Sequence, residues 1–293
     1  MKLVSYGEAG AERAGVVVGE RILDINRAAP DLPSEVRRIL ERGMLPAVEK
    51  LAARASGIRD EWLVGLNAVR LGAPVTRPGT LVCIGLNYKD HAEENNLPLP
   101  KAPLMFCKSS SCVVGPADDV VLPPHSGNID WEVELGVVIG QVASRVKAAE
   151  AFDVVAGYMA SNDVSGREAQ FGDGQWFRGK SFDTFAPMGP YLVTKDEVPD
   201  PHNLNISMKV NGEYKQRSNT VQLIFKIPAL IEYITAGLTL HPGDVISTGT
   251  PAGVGACMKP PQFLKAGDVM EMEVEGIGTH KTRVVSRETE SAR

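Results

Sequence analysis

The 293-residue sequence lacks the features that mark membrane, secreted and nucleic-acid-binding proteins. Its longest apolar runs, such as residues 133–139, are too short to span a bilayer, and residues 1–7 lack the apolar core of a signal peptide. Positive charge is not in excess either: the net charge is −5, whereas a general nucleic-acid binder shows a basic face. We therefore expect a cytoplasmic protein that binds neither a membrane nor nucleic acid.

Cysteine is scarce, and the cysteines form no Cys-x-x-Cys pair. They are Cys83, Cys107, Cys112 and Cys257. This spacing argues against a zinc site and favours reduced, partly buried thiols. Residues 247–255 are rich in glycine but lack the Gly-Lys-Ser/Thr ending of a phosphate-binding loop, and the chain has no Gly-x-Ser-x-Gly elbow. These absences argue against nucleotide binding and against a serine hydrolase of that type.

Short apolar strands and turn residues dominate what the sequence does contain. Residues 73–80 hold two prolines and a glycine, and they mark a boundary between a small N-terminal α/β domain, residues 1–72, and a larger domain, residues 73–293. Helical periodicity appears over residues 221–233, and Asn211-Gly212 predicts a β-hairpin. The expected fold class is α+β and rich in β-structure. Strands are predicted at Lys2–Tyr6, Leu81–Leu86, Val133–Ile139, Gly189–Val193, Leu204–Val210, Val245–Ser247 and Val269–Val274.

Two glutamates stand two positions apart at the start of an apolar, β-branched run. Alternate side chains of a strand share a face, so Glu132 and Glu134 point the same way while Val133 and Leu135 point into a core. Two like charges in a mostly buried strand repel each other and resist desolvation, and a divalent cation would compensate them. The alternative is a solvent-exposed edge with two ordinary surface glutamates.

A third carboxylate, Asp163, follows another short apolar strand over residues 154–159. Glu132, Glu134 and Asp163 form an all-carboxylate set with neither His nor Cys beside it, and such a set suits a hard cation. Mg²⁺ (or Mn²⁺) fits best, because Mg²⁺ usually retains waters that a substrate can displace. Asp163 could instead cap the N-terminus of a helix.

His91 and Glu94 lie three residues apart, which makes them neighbours on a helical turn. A carboxylate beside an imidazole fixes the tautomer of the ring, which suits general acid–base catalysis. The alternative is an ordinary surface His–Glu pair. The proline-rich residues 95–103 that follow have the composition of a mobile lid, and lids that exclude water commonly border active sites.

Four further side chains are candidates for contacts with a substrate. Lys180 lies in a glycine-flanked, otherwise apolar stretch and could bind an anionic substrate or a developing oxyanion, although a solitary lysine is normally solvated surface. Arg167 and Gln170 could hydrogen-bond a substrate carboxylate, or they could belong to a helix surface. Thr250, in the glycine-rich segment, could present its hydroxyl to a substrate anion.

Five motifs, in this order along the chain, resemble the fumarylacetoacetate hydrolase family over about residues 74 to 283. They are Gly85–His91 (GLNYKDH), Asp130–Leu135 (DWEVEL), Asn162–Arg167 (NDVSGR), Gly179–Phe185 (GKSFDTF) and Pro242–Pro251 (PGDVISTGTP). Together the five are highly specific for the family, though not for one reaction. The resemblance implies a mixed-sheet, β-roll-like catalytic domain that is typically dimeric.

The resemblance also implies roles for the candidate residues. Glu132, Glu134 and Asp163 match the family's metal ligands, and His91 with Glu94 matches the dyad that activates water. Lys180 and Thr250 match contacts to substrate and intermediate, with Arg167 and Gln170 as further candidates. Asp90 lies near a fourth ligand position that some members use, but its neighbours match the three-ligand branch, so we leave it out of the metal set.

The activity that these roles imply is Mg²⁺-dependent hydrolysis of a C–C bond in a small acylpyruvate or 2,4-diketo acid. Water deprotonated by His91 would attack the distal carbonyl, and Lys180 would help to hold the enolate that leaves. Sibling reactions use the same kind of site, namely decarboxylation or isomerisation of a 2-keto acid and a ureidoglycolate lyase-type reaction. A rival from another class is a non-catalytic, metal-stabilised binding protein. We further expect a homodimer.

Overall fold

Most strands formed by the described residues join one twelve-stranded sheet. The computed structural model describes residues 1–54, 57 and 59–287. The strands of this sheet are β1 Lys2–Tyr6, β2 Arg13–Val18, β3 Arg21–Asp24, β4 Leu63–Gly65, β5 Leu71–Gly72, β6 Leu81–Gly85, β7 Leu104–Lys108, β8 Val113–Val114, β11 Val133–Ile139, β12 Val155–Asn162, β14 Ala186–Thr194 and β17 Val245–Ser247. Their order is β4-β3-β2-β1-β14-β12-β11-β17-β6-β7, with β5 paired to β1 and β8 to β14.

The remaining strands form two smaller sheets. A five-stranded sheet consists of β9 Val120–Leu122, β15 Asn205–Val210, β16 Glu213–Asn219, β18 Val269–Val274 and β19 Gly278–Ser286. Its order is β16-β15-β18-β19-β9. The short strands β10 Ile129–Asp130 and β13 Ser165–Gly166 pair with each other and border the candidate site described below.

The helices are short and lie between the strands. They are α1 Ile25–Ala28, α2 Val36–Glu41, α3 Leu45–Ala52, α4 Lys89–Glu94, α5 Arg167–Gly172, α6 Phe177–Lys180 and α7 Ile227–Thr235. None of the helices formed by the described residues is both long enough and apolar enough to cross a bilayer. The predicted β-rich α+β class is confirmed.

The N-terminal strands are continuous with the large sheet. β1 pairs with β14, where Leu3 lies opposite Leu192, and it also pairs with β2 and β5. Residues 1–72 therefore share a hydrogen-bonded ladder with the rest of the chain. The division into domains at residue 72 remains a prediction.

The Asn-Gly hairpin forms where it was predicted. β15 and β16 are antiparallel neighbours, and Val210 pairs with Glu213 across the turn. Asn211 and Gly212 both have positive φ, 53° and 80°, as a two-residue turn matched to the twist of the strands requires.

The predicted helix over residues 221–233 is wrong in its first half. Thr220–Gln222 form a single 3₁₀ turn, and α7 begins only at Ile227. Pro228 lies in the first turn of α7. A proline lacks the backbone N–H that an interior position would use, so it is tolerated at a helix start and the helix cannot extend back through it.

A buried histidine in the five-stranded sheet links stability to pH. His280 lies in β19 opposite Met272 of β18 and is 4% exposed. Burial lowers the pKa of its imidazole from 6.5 to about 4. Between these two values the unfolded chain binds a proton that the folded chain does not. Stability is therefore expected to fall as the pH drops from 6.5 to 4, by up to about 3 kcal/mol from this group.

We expect the variant His280→Leu to lose that component of the pH dependence. Its free energy of unfolding, measured by denaturant titration at several pH values from 6.5 to 4.5, should decline less steeply than that of the wild type. His125→Leu, which removes an exposed histidine, should keep the wild-type slope. Equal slopes for His280→Leu and the wild type would show that His280 does not couple folding to pH.

Candidate metal centre and active site

The three predicted metal ligands come together at the ends of two central strands. Val133 of β11 pairs with Asn162 of β12, so Glu132 and Asp163 flank this pair on neighbouring strands. One carboxylate oxygen from each of Glu132, Glu134 and Asp163 lies within 4.8 Å of the others. The three residues are 7%, 2% and 1% exposed, respectively. We call these three residues the acidic cluster.

The alternative interpretations of these carboxylates do not agree with the structure. β11 lies between β12 and β17, and all its residues are buried, so Glu132 and Glu134 are not on an exposed edge. Asp163 is not the N-cap of α5, which begins at Arg167 with Gly166 as its N-cap. The Asp163 carboxylate instead faces two buried lysines.

These lysines bind the acidic cluster directly. Lys180, 2% exposed, donates from Nζ to Glu132 Oε2 and to Asp163 Oδ2, both at 2.8 Å. Lys108, 4% exposed, donates to Asp163 Oδ1 and to two main-chain carbonyl oxygens. Burial by itself would lower the pKa of Lys180, but the charges of Asp163 and Glu132 outweigh it and raise the pKa above its ordinary value. Lys180 is therefore a cation fixed at the acidic cluster.

A guanidinium group continues the network on the other side. Arg167 donates to Glu132 Oε1 and, from both Nε and Nη2, to Asp130 Oδ2. Asp130 also accepts the backbone N–H groups of Gly255 and Ala256, each at 2.8 Å. Asp130 thus connects the acidic cluster to the turn at residues 255–257.

Negative charge exceeds positive charge in this network. The carboxylates are Asp130, Glu132, Glu134 and Asp163, and the cations are Lys108, Lys180 and Arg167. Burial alone would raise the pKa of Glu132, but Lys180 and Arg167 lower it to about 2. Glu134 shows the opposite shift, because burial and the charges of Asp163 and Glu132 raise its pKa well above the ordinary value.

The acidic cluster fits a hard divalent cation. Its donors are all carboxylate oxygens, which Mg²⁺ and Mn²⁺ prefer, and burial excludes bulk water as a source of compensation. The Glu134 carboxylate is held in place, since the Ser247 hydroxyl and the Gly249 N–H both donate to its Oε2. A divalent ion would also relieve the repulsion that raises the pKa of Glu134.

The predicted dyad lies on α4, at the start of the proline-rich segment. His91 Nδ1 is 3.4 Å from Glu94 Oε2, at the spacing expected for positions i and i+3 of a helix. Glu94 also accepts the Gly253 N–H, so its carboxylate is fixed from the opposite side. The segment 253–256 connects the dyad to the acidic cluster, since the Gly255 and Ala256 N–H groups bind Asp130, and Asp130 accepts from the same Arg167 guanidinium that binds Glu132. The structure therefore brings dyad and cluster together.

The other predicted substrate contacts, Arg167, Gln170 and Thr250, are already hydrogen-bonded to other groups of the protein. Gln170, 2% exposed, accepts from Arg167 Nη1 at 2.9 Å. The Thr250 hydroxyl donates to the Val133 carbonyl oxygen and accepts from Gln216 Nε2. A substrate would have to compete with these bonds, and the roles of Arg167, Gln170 and Thr250 in binding remain predictions.

Sequence reasoning missed two residues that organise the site. Asp130 begins the motif Asp130–Leu135; it is fully buried and connects Arg167 to the turn that carries Cys257. Lys108 ends the short strand β7, whose sequence is Leu-Met-Phe-Cys-Lys. A single lysine at the end of such an apolar run is the local sequence signal for a buried cation. Its partner Asp163 is 55 residues away, so spacing could not reveal the pair.

Comparison with known proteins identifies the family. Residues 80–285 match the fumarylacetoacetate (FAA) hydrolase C-terminal family, which is more than half of the chain. The chain belongs to the fumarylacetoacetate hydrolase family. The resemblance given by the five motifs is thereby confirmed.

Relatives of this family from animals are similar over most of their length. The chain is 47% identical over 269 residues to the mitochondrial oxaloacetate tautomerase Fahd2a of Rattus norvegicus, which covers 92% of this chain and 85% of the rat protein. It is 48% identical over 269 residues to the mitochondrial oxaloacetate tautomerase FAHD2A of Homo sapiens, covering 91% and 85%. These relatives are enzymes.

Solved structures of the family share the fold. A fumarylacetoacetate hydrolase from Exiguobacterium antarcticum superposes with a TM-score of 0.85 at 33% identity, covering 98% of this chain and 100% of the other. A maleylpyruvate hydrolase from Sphingobium sp. SYK-6, in complex with manganese(II) and pyruvate, superposes with a TM-score of 0.80 at 31% identity, covering 98% and 99%. A divalent metal is thus present in a homologous structure.

The expected cytoplasmic location is wrong by this comparison. The rat, bovine and human relatives are all named as mitochondrial proteins. The expectation rested on the missing apolar core at residues 1–7, and that observation bears only on secretion. Mitochondrial targeting depends on amphipathic, arginine-rich segments instead, which the absence of an apolar core does not exclude.

Proposed function

We propose that this protein is a Mg²⁺- or Mn²⁺-dependent enzyme that interconverts the enol and keto forms of a small 2-oxo dicarboxylic acid of the oxaloacetate type. The observation that carries the proposal is the His91–Glu94 pair together with the buried acidic cluster, whose surrounding network has one more carboxylate than it has cations. That arrangement supplies a base next to a cation site, as proton transfer next to a carbonyl requires. The relatives that are 47–48% identical, named as oxaloacetate tautomerases, support this choice of substrate class.

Charge explains why the substrate would be an anion. The four carboxylates and three cations of the network leave one negative charge in excess when all are ionised. A divalent ion held by Glu132, Glu134 and Asp163 would change this excess to one positive charge, which would attract the carboxylate of a keto acid. When bound, the ion supplies a Lewis acid for the keto and carboxylate oxygens of the substrate.

The residues of the chain then divide the proton transfer between them. His91 takes a proton from the carbon next to the keto group, or returns it, and Glu94 holds the imidazole in the tautomer that this requires. Lys180 keeps a positive charge at the cluster while negative charge develops on the enolate oxygen. The Gly253 N–H fixes Glu94, so the dyad is oriented before the substrate arrives.

Proton NMR in D₂O tests the proposal directly. With Mn²⁺-free, Mg²⁺-loaded protein, oxaloacetate should exchange its C3 protons for deuterium, and its enol form should decay, faster than without protein. Pyruvate should form no faster with the protein than in a blank with the same Mg²⁺ concentration. If exchange is no faster than in the buffer blank, the tautomerase proposal fails; and if no keto acid is turned over, the metal-stabilised binding protein takes its place.

Hydrolysis of a C–C bond, the activity expected from the sequence, is the second candidate. The maleylpyruvate hydrolase that superposes over 98% of this chain favours it. In that reaction His91 would deprotonate a water molecule rather than a carbon acid. Incubation with acylpyruvates separates the candidates, because a hydrolase releases pyruvate and a carboxylic acid. Release of pyruvate from oxaloacetate would instead indicate the decarboxylase among the sibling activities.

We also propose that the protein is a homodimer. β7 lies at one end of the large sheet and has exposed Leu104 and Cys107, and proteins usually cover such an edge. Light scattering at micromolar concentration should give about twice the chain mass of 31.5 kDa. A single species at the chain mass would contradict this prediction and would leave the acidic cluster unaffected.

A further inference from the structure

A second group of metal-ligating side chains lies next to the dyad. The thiol sulfur of Cys257, a ring nitrogen of His91 and a carboxylate oxygen of Glu94 all lie within 4.8 Å of one another. The three residues are partly buried. None of them belongs to the acidic cluster, so residues 1–54, 57 and 59–287 include two separate sets of potential ligands.

Both segments that carry these side chains are held by hydrogen bonds. Cys257 ends the 3₁₀ turn Gly255–Cys257, whose first two N–H groups are bound by Asp130 at 2.8 Å. Glu94 accepts the N–H of Gly253, two residues before the same turn. These bonds link the turn to α4, so the three ligands are positioned before any ion binds.

The spacing suits tetrahedral coordination. With metal–nitrogen and metal–oxygen bonds of about 2.0–2.1 Å, the edge of a tetrahedral site is about 3.3 Å. The His91 Nδ1 to Glu94 Oε2 distance is 3.4 Å, so this edge already has the required length. With a metal–sulfur bond of about 2.3 Å the edges to sulfur are about 3.6 Å, so the sulfur, now within 4.8 Å, needs to approach by no more than about 1.3 Å to complete the face. A water molecule would take the fourth position, as in other sites with three protein ligands.

The two sets of ligands differ in chemical softness. The acidic cluster has only carboxylate oxygens, which suit Mg²⁺ and Mn²⁺. The second set combines a thiolate, an imidazole and a carboxylate, which suits Zn²⁺ and Co²⁺ and is a poor site for Mg²⁺. Cations of the two classes would therefore bind at different places in the same protein.

We propose that His91, Glu94 and Cys257 form a binding site for Zn²⁺ or a similar transition-metal ion, and that its occupancy inactivates the enzyme. As the sulfur–metal bond forms, the Cys257 thiol releases its proton to solvent. An ion held at Nδ1 of His91 leaves the remaining ring proton on Nε2. The imidazole then has no free nitrogen with which to accept a proton, and Glu94 no longer orients it.

Cobalt provides a probe that does not depend on the proposed activity. Protein saturated with excess Mg²⁺ is titrated with Co²⁺, and a thiolate-to-cobalt charge-transfer band is monitored in the near ultraviolet. The wild type should show the band with one Co²⁺ per chain at saturation, and Cys257→Ser should not. Cys107→Ser, which removes an exposed thiol on β7, is the matched control and should keep the band. Glu94→Gln should retain the Cys257 thiol but bind Co²⁺ at least about 10²-fold more weakly than the wild type does.

The inhibition is tested on the same proteins with Zn²⁺ and oxaloacetate. This part rests on the proposed function, whereas the cobalt titration does not. Zn²⁺ should inhibit the Mg²⁺-loaded wild type and Cys107→Ser reversibly, with activity restored by a chelator and fresh Mg²⁺, and Cys257→Ser should need far more Zn²⁺. A wild type without the cobalt band, or a band that persists in Cys257→Ser, would overturn the site. Equal sensitivity of Cys257→Ser and wild type to Zn²⁺ would overturn the inactivation.

Discussion

Replacing Glu134 with glutamine is expected to remove both the divalent cation and the activity. Glu134 is the carboxylate in the acidic cluster whose pKa is raised by burial and by its neighbours Asp163 and Glu132, and a cation would relieve that repulsion. Glu134→Gln keeps the shape of the side chain but deletes a charged ligand. Occupancy by Mn²⁺, measured by elemental analysis after dialysis, should fall from about one ion per chain to near zero. Turnover should fall by about 10³-fold or more, since Lewis-acid stabilisation is worth several kcal/mol.

A glutamate on another strand serves as the control for this variant. Glu273 lies on β18 and is exposed, so Glu273→Gln should retain full metal occupancy and wild-type turnover. Circular dichroism should show that both variants fold. If Glu134→Gln binds Mn²⁺ as tightly as the wild type, the assignment of Glu134 as a metal ligand is wrong.

Replacing His91 with alanine should separate catalysis from metal binding. His91 lies on α4 and is not one of the three carboxylates of the acidic cluster. We expect His91→Ala to retain its Mn²⁺ while turnover of oxaloacetate falls by about 10²–10⁴-fold, the usual contribution of a general base. Elemental analysis and the deuterium-exchange assay measure the two quantities on the same sample.

The neighbouring exposed residue Glu93 allows a matched comparison on the same helix. Glu93→Ala shortens a side chain of α4 but touches no part of the dyad, and it should leave turnover unchanged. Wild-type exchange rates in His91→Ala would remove His91 from the mechanism and favour a reaction that needs no protein base. Loss of Mn²⁺ from His91→Ala would mean that the imidazole holds the metal site together.

The sequence predicted much of the local structure because the relevant signals are local. An apolar, β-branched run gave β11 its bounds, Val133–Ile139, and the alternation of side-chain direction along a strand placed Glu132 and Glu134 on one face. Asn211-Gly212 predicted the hairpin through its backbone preferences. Apolar periodicity predicted a helix over residues 221–233 that is too long at its N-terminal end. Pro228 lies near the middle of that range, and a proline there favours a helix that starts later, as α7 does.

The N-terminal residues 1–7 are too narrow a basis for predicting where the protein is located. The apolar content of residues 1–7 carries no information about import into an organelle. The relatives named as mitochondrial corrected that expectation. Composition and charge argued only against broad classes of protein. The five family motifs, found in the family's order, pointed to a specific kind of site.

By itself, the sequence determined the fold class, the family and the three carboxylates of the acidic cluster, because each rests on short-range pattern or on motif order. Only the tertiary structure decided what surrounds them. Lys108 reaches Asp163 from a distant strand, and Cys257 reaches the His91–Glu94 pair because Asp130 holds its turn in place. The charge balance of a buried site depends on side chains that packing brings within a few ångströms, and sequence separation does not encode that proximity.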